Sequence, residues 1–469
     1  MGEGVQAAEG AGSQGDGSKP GNHSKAWRRA PGRKPGPAPD GRSFGRRLVE
    51  VERHCFPDLN SWFDGLPDPR RQEMCTYSGR HLWRQILMTF LTRGGSRNAF
   101  DGDRNSGSLP ENMALLCDTP WDVERLGARV TVTCSENATR HASRVATTAV
   151  AAIPLHMVRR LMEMRLFDSD RLFGRWWRVA IDGTLQDRGH DTPEAEARYR
   201  YVVEAKLVGP CGTMFHLMSE FMDVRDPLRD KEDCELNAFL RITERLRKEF
   251  PHLSICLLLD GLYPVRPVFD RCAEYGWKFI ATLREGRQPL AWAEAVETMM
   301  MSPENVGKGT RKGEDGTVEQ TLRWTHRVPF GEHELDVLFS GEVGPACASL
   351  WVWCTNFGID ADNAYALANS GGRARQGIEN VFNVETNGGF GLEHAYCADN
   401  TAAHNYHVMM QVAHTLAQLL VNGLLRRLTR ACRKLTDTKL TELLRSSLQY
   451  VLIDTGPPWC GQIRFVSSA

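Results

Sequence analysis

The sequence carries no net charge: 58 Lys and Arg balance 58 Asp and Glu over 469 residues. A basic whole is thereby excluded, and any surface for nucleic acid must come from local clustering. No CxxC pair occurs among the thirteen cysteines, an odd number spread singly as at Cys55, Cys75, Cys117, Cys134, Cys211 and Cys234. With no segment resembling a secretory leader, this pattern predicts reduced thiols in a cytosol rather than a disulfide framework. No uninterrupted apolar run approaches the roughly 20 residues needed to cross a bilayer. The longest candidate, 406–427, is broken by His407, Gln411, His414, Gln418 and Asn422, so a soluble protein is expected. Internal repeats are absent as well.

What is present is enough apolar material, 41% of residues, for a full core and two or three domains. Residues 1–45 are Gly, Pro, Ser and basic side chains with little to bury, which predicts a disordered basic leader. From 46 to 170 the spacing is helical, as in "SGRHLWRQILMTFLTR" (78–93) and "TTAVAAIPLHMVRRLMEM" (147–164), and an α-helical domain is expected. The texture then changes. "WWRVAIDGT" (176–184), "YRYVVEAKLVG" (199–209) and "GTMFHLMSEFM" (212–222) read as three successive strands. A charged helix at about 229–249, the strand "LSICLLLDG" (253–261), a helix at about 264–275 and the strand "WKFIATLR" (277–284) follow. This order implies a mixed α/β sheet with helices on its faces.

Residues 285–350 interrupt that order with weak alternation and read as a β-rich insertion, whose apparent tip "GKGTRKGEDGT" (307–317) carries Lys308, Arg311 and Lys312. Trp292 and Trp324 flank the tip in sequence. One more strand (349–357), a short helix within "GRARQGIENVFNVETNGGFGLEH" (372–394) and a long helix at about 402–427 complete a segment 351–430, before a helical tail over 431–469.

Two carboxylates stand at comparable places. Asp182 and Asp260 each end an apolar strand and precede a glycine. An ionised group at the edge of a buried strand must be paired, hydrogen-bonded or metal-bound. Two divalent ions held by three carboxylates would account for both, since hard oxygen ligands suit Mg²⁺ and such a pair serves phosphoryl transfer. Glu379 is the third candidate, with Arg375 one helical turn earlier to hold a phosphate. Each piece has a plainer reading: an Asp-Gly pair starts turns, and an Arg-Glu pair four apart is commonly a solvated ion pair. Tyr263 is placed either to orient a phosphate or to pack at a strand-helix junction. Glu220, Glu385 and Glu393 are competing acids, and His404, His407 and His414 raise a zinc site that no neighbouring Cys/His set completes.

The stretches "VAIDGT", "YVVEAKLV", "MSEFM", "LLLDGLY" and "RQGIENVFN" followed by "NGGFGLEH" resemble the DDE transposases of bacterial insertion sequences, in the group with a β insertion between the second and third acids. The likeness spans roughly 50–430, "SRNAFD" and "HNYHVMMQVAHTLAQLL" included. The resemblance implies a ribonuclease-H-like catalytic domain over 171–284 and 351–430, split by the insertion. It implies Asp182, Asp260 and Glu379 as catalytic and metal-ligating acids, two Mg²⁺ ions for which Mn²⁺ can substitute, and cleavage at element ends followed by strand transfer. DNA is then the partner, with contacts from Arg375, Tyr263, Lys308, Arg311 and Lys312 and from Arg80, Arg84, Arg93 and Arg97 of the helical domain. A dimer or larger synaptic assembly in the nucleoid-associated cytoplasm is also implied. The family's third-helix signature is Tyr, two residues, Arg, three residues, Glu, six residues, Lys; Gly372 and Thr386 stand at its Tyr and Lys positions. That departure keeps a second expectation open, a DNA-binding remnant without cutting activity. A glycosidase working through paired carboxylates is a third.

Overall fold

The structure is a computed structural model that describes residues 42–118, 131–187, 200–222, 231–313, 316–345, 348–426 and 432–453, with 463 and 465. The expected leader lies outside the described residues up to 41, and much of the expected tail beyond 453 lies outside them as well. The described residues fall in one compact unit. Where the leader was expected to continue to residue 45, the helix α1 (Arg42–Cys55) has already begun, and Phe44 is wholly buried in the core.

Nine strands form one mixed sheet in the order β3-β2-β1-β4-β5-β9-β8-β7-β6. The first three, β1 (Trp177–Asp187), β2 (Arg200–Val208) and β3 (Met214–Met222), are an antiparallel meander. β4 (Ile255–Leu259) runs parallel to β1, and β5 (Lys278–Thr282) runs parallel to β4. The apolar run Ile255–Leu259 is buried throughout, as a strand covered on both faces must be.

The stretch read as an insertion continues this sheet. β9 (Ala348–Thr355) pairs antiparallel with β5, and β8 (His333–Val343), β7 (Thr317–Phe330) and β6 (Val306–Lys312) add on outward. Alternating burial along β7 gives it one packed and one solvated face. The weak alternation at 285–305 has a simple cause. Pro289–Met301 is a helix lying on β7, with Ala291 and Ala295 turned inward one turn apart.

The principal remaining helices are α2 (Gly79–Leu91), α3 (Ala152–Glu163), α4 (Lys231–Glu249), α5 (Arg266–Tyr275), α6 (the Pro289–Met301 helix), α7 (Gln376–Asn387), α8 (Asn400–Gln418) and α9 (Asp437–Tyr450). Helix α8 continues through a π-helical stretch, Leu419–Leu425, and packs against α2, α3 and β3, so the early helices and the sheet share one core. The span Asn400–Leu425 has the length and hydropathy of a membrane helix, but 94% of its apolar window is buried inside the protein. Its polar residues His407, Gln411, His414 and Gln418 are buried with it. Cys55, Cys75, Cys117, Cys134, Cys211, Cys256, Cys272, Cys354, Cys397 and Cys432 are in no disulfide.

The approach to α7 depends on two glycines. Leu367–Gly371 is a π-helical turn and Gly372–Arg375 a 3₁₀ turn, and together they lean directly on the sheet. A Cβ on Gly371 would collide with Ile280 of β5, and one on Gly372 with the Trp353 indole of β9. Neither residue has a left-handed φ; the demand is for close backbone approach. Trp353 is 1% exposed and cannot turn aside into solvent. The indole therefore occupies the space that the signature tyrosine's side chain would need at 372. Gly372→Ala should destabilise the protein by about 1–3 kcal/mol in urea unfolding, the usual cost of overpacking. Adding Trp353→Phe should recover part of that loss.

Candidate active site

The register between β1 and β4 positions the two aspartates. Trp177 lies opposite Ile255 and Ala180 opposite Leu258, an offset of 78 residues. The same offset of 78 separates Asp182 from Asp260, two residues beyond the last ladder pair. Adjacent strands are about 4.8 Å apart, so both carboxylates leave the same edge of the sheet on neighbouring strands. Asp260 is 9% exposed and its Oδ1 accepts the Leu262 N–H at 2.9 Å. It starts a turn, as an Asp-Gly pair does, and also stands beside Asp182. Asp182 Oδ1 accepts the Gly183 N–H at 3.1 Å.

Helix α7 brings the third acid. The Arg375 guanidinium donates to Asp182 Oδ2 at 2.7 Å through one terminal nitrogen and to Glu379 Oε1 through the other. The pair four residues apart is therefore not a free-standing surface pair. Arg375 is 9% exposed, whereas the Glu379 side chain is 49% exposed and faces the site's open side. Arg375 thus bridges Asp182 and Glu379, and Asp260 lies on the strand beside Asp182.

The electrostatics of this edge are dominated by desolvation. Burial pushes the Asp182 carboxyl up to about 7, and Asp260 and Glu379 add to the shift, while Arg375 and the Gly183 amide oppose it. Tyr263, 2% exposed, has a hydroxyl with no hydrogen-bond partner among the described residues. Its phenol is pushed well above the ordinary range, first by burial and then by Glu235, Asp182 and Asp260. Glu235, on α4, was not singled out in the sequence. It is 4% exposed, accepts the Tyr201 hydroxyl, and lies where a side chain on Gly183 would have to go. The glycine after Asp182 was its one sequence trace, since a close approach at that point requires a missing Cβ.

Among the described residues no group of three His, Cys, Asp or Glu side chains is spaced to hold a metal ion. The donor chemistry nevertheless fits a hard divalent cation. Asp182, Asp260 and Glu379 offer carboxylate oxygens, and burial disfavours the ionised form of Asp182 despite the opposing Arg375.

Several other expectations are corrected. Lys308, Arg311 and Lys312 are not on a loop tip but on the edge strand β6, where Lys308 and Lys312 face solvent and charged residues discourage edge pairing. Arg311 is bound to Glu342 at 2.8 Å. Trp324 is 4% exposed and belongs to the core, while Trp292 is half-buried against Phe339. Arg84 is buried with Glu52 at 2.7 Å, Arg80 is paired with Asp64, Arg97 donates to Thr139 at 2.8 Å, and Arg93 lies over the Phe390 ring at 4.4 Å. These four arginines are engaged within the protein because the helices they ride pack on one another rather than displaying a basic face. His404 stacks on Phe221 at 3.8 Å, and His407 and His414 meet glutamates, not a metal. Glu220 pairs with Arg245 at 2.9 Å, away from the proposed cluster's arginine.

No family model matches the chain, and no characterised protein matches its sequence.

The raised carboxyl of Asp182 has a definite pH signature. Its folded value lies above the ordinary carboxylate value of 3.8, so its favourable contribution is complete below pH 3.8 and is lost as pH rises through about 7. In EDTA, Asp182→Asn should therefore raise the melting temperature more at pH 8 than at pH 5, by a few degrees. Differential scanning calorimetry at the two pH values checks this.

Proposed function

We propose that the chain is a DNA transposase of the DDE type. The observation that carries this reading is the in-register pair Asp182 and Asp260 on adjacent parallel strands, with Glu379 tied to Asp182 through Arg375. The core strand order β3-β2-β1-β4-β5, with a meander of three antiparallel strands and two parallel additions, supports a ribonuclease-H-like assignment. The acids occur along the chain in the order the family resemblance implies.

In this reading Asp182, Asp260 and Glu379 hold Mg²⁺, or Mn²⁺ in its place. When bound, the ions supply Lewis-acid activation of the attacking oxygen and stabilisation of the leaving one. The chain's own contribution is position and charge. The sheet edge fixes two carboxylates side by side, and α7 presents the third from a half-exposed position that DNA can reach. Arg375 supplies a bidentate cation that neutralises carboxylates while the site is empty of DNA and can take a phosphate oxygen when DNA is bound. Tyr263 offers a buried hydroxyl donor next to the acids. Two element ends require at least a dimer, and the nucleoid-associated cytoplasm is the corresponding location.

A second reading, a DNA-binding remnant without cutting activity, is favoured by one specific observation. The space for the signature tyrosine is filled by Trp353, and Thr386 replaces the signature lysine.

Nicking of supercoiled plasmid separates the readings. The wild-type chain should nick with Mg²⁺ or Mn²⁺ and stop with EDTA. Asp182→Asn, Asp260→Asn and Glu379→Gln should each lose at least about 100-fold in rate, the scale on which single electrostatic groups act in active sites. Equal rates for wild type and all three variants would overturn the assignment. DNA binding with no nicking by the wild type would leave the remnant.

A further inference from the structure

Directly beside the site, on the same face of the sheet, lies a second set of charges sealed from water. Glu204 is the cross-strand partner of Asp182 in the antiparallel β1–β2 ladder, so the two side chains share a face. Glu204 and Glu385 are fully buried, Lys206 and Gln411 are 1% exposed, His407 4% and His414 5%. The Lys206 ammonium donates to Glu385 Oε1 at 2.9 Å and Gln411 Oε1 at 2.7 Å and forms an ion pair with Glu204 Oε2 at 2.6 Å. The Gln411 amide returns donors to Glu204 at 3.1 Å and to Glu385 at 3.2 Å. His414 Nδ1 meets Glu385 Oε1 at 2.6 Å and His407 Nε2 meets Glu204 Oε1 at 2.7 Å.

Four elements meet here: β2 through Glu204 and Lys206, β3 through His216 at 3.5 Å from Glu204, α8 through His407, Gln411 and His414, and α7 through Glu385. Glu385 follows Glu379 by six residues on the same helix. At about 100° per residue the two acids point roughly 120° apart, one into the interior and the other to the half-exposed edge. The rest of the buried face of α7, Ile378, Val381 and Phe382, is apolar. Apolar contact holds a helix against a sheet but is non-directional and tolerates sliding and rotation. The network at Glu385 is directional, with the carboxylate fixed by three neighbours on two other elements.

We propose that Glu385, clamped by Lys206, is a positioning residue that sets the rotation and height of α7, and through it the placement of Glu379 and Arg375 against Asp182. The inference rests on the functional reading above for what the placement serves, but the mechanical coupling is independent of it. Lys206 is the keystone, because it is the ammonium between two buried carboxylates that would otherwise face each other.

The test has two arms on the full chain. In the first, hydrogen exchange of the amides of 376–387 is measured for the wild type, Glu385→Gln, Lys206→Met and the double variant. In the second, Mg²⁺-dependent plasmid nicking and DNA affinity are measured below each variant's melting temperature. Glu385→Gln should speed exchange in 376–387 by at least about ten-fold and lower the nicking rate by a similar factor, with DNA affinity changed less than two-fold. Lys206→Met should melt well below the wild type. The double variant should recover most of that melting temperature, because the unpaired second carboxylate is gone, and yet keep the fast exchange and the slow nicking. Wild-type exchange and nicking in Glu385→Gln, or recovery of stability, exchange and nicking together in the double variant, would overturn the proposal. A wild-type chain that does not nick sinks the functional reading, and the exchange arm then decides the coupling by itself.

Discussion

The parallel pairing of β1 with β4 is the constraint on which the rest of the site depends. A strand's side chains alternate between faces, so a slip of one residue would send Asp260 to the side opposite Asp182. The register is held by burial. Val179, Ala180 and Ile181 on one strand and Ile255 to Leu259 on the other are all essentially inaccessible, and no displaced pairing would bury both runs. The aspartates are the first charged residues after these apolar stretches; β4 ends just before Asp260, whereas β1, expected to end at Asp182, runs on to Asp187 paired with β2. What locks the strands is hydrophobic, and what they deliver is a pair of carboxylates.

Delivering charge to such a place is costly, and the protein handles the cost differently on two neighbouring patches. At the sheet edge the compensation is partial: one guanidinium serves Asp182 and Glu379, and burial still drives the Asp182 carboxyl toward its neutral form. Under α7 the compensation is dense. Lys206 and three histidines, His216, His407 and His414, surround Glu204 and Glu385, and both carboxylates are held below their ordinary range despite complete burial, chiefly because Lys206 opposes the desolvation. Under α7 an ammonium outweighs the cost of burial, whereas at Asp182 burial outweighs the one guanidinium. That contrast distinguishes two clusters built from the same residue types.

The outer strands take part in the same arrangement. Glu342 of β8, 3% exposed, accepts Arg311 from β6 at 2.8 Å and Arg373 from the turn before α7 at 3.0 Å. Arg373 also lies over the Trp351 ring at 4.8 Å. The stretch leading into α7 is thus gripped from the insertion side by Glu342 and from β5 and β9 by the close approach of Gly371 and Gly372, while Glu385 ties α7 itself to β2 and α8. The insertion is an extension of the central sheet that braces one end of α7.

Local pattern by itself determined most of the elements and singled out the three candidate acids. Alternation and apolar runs of strand length marked β1 to β5, helical spacing marked α7 and α8, and the repeated apolar-run-Asp-Gly motif set Asp182 and Asp260 apart, because these signals arise from nearest neighbours. It also misread what neighbours cannot encode. The helix Pro289–Met301 was hidden in a composition that suits either state, Lys308 and Lys312 were assigned to a tip because glycines surround them, and Arg80, Arg84, Arg93 and Arg97 were counted as surface charge. Glu235, Glu204, Lys206 and Glu385 acquired their roles only from residues distant in the chain. Whether a charged side chain faces water, a partner or another charge is fixed by which faces pack together, and that is a property of the tertiary structure alone.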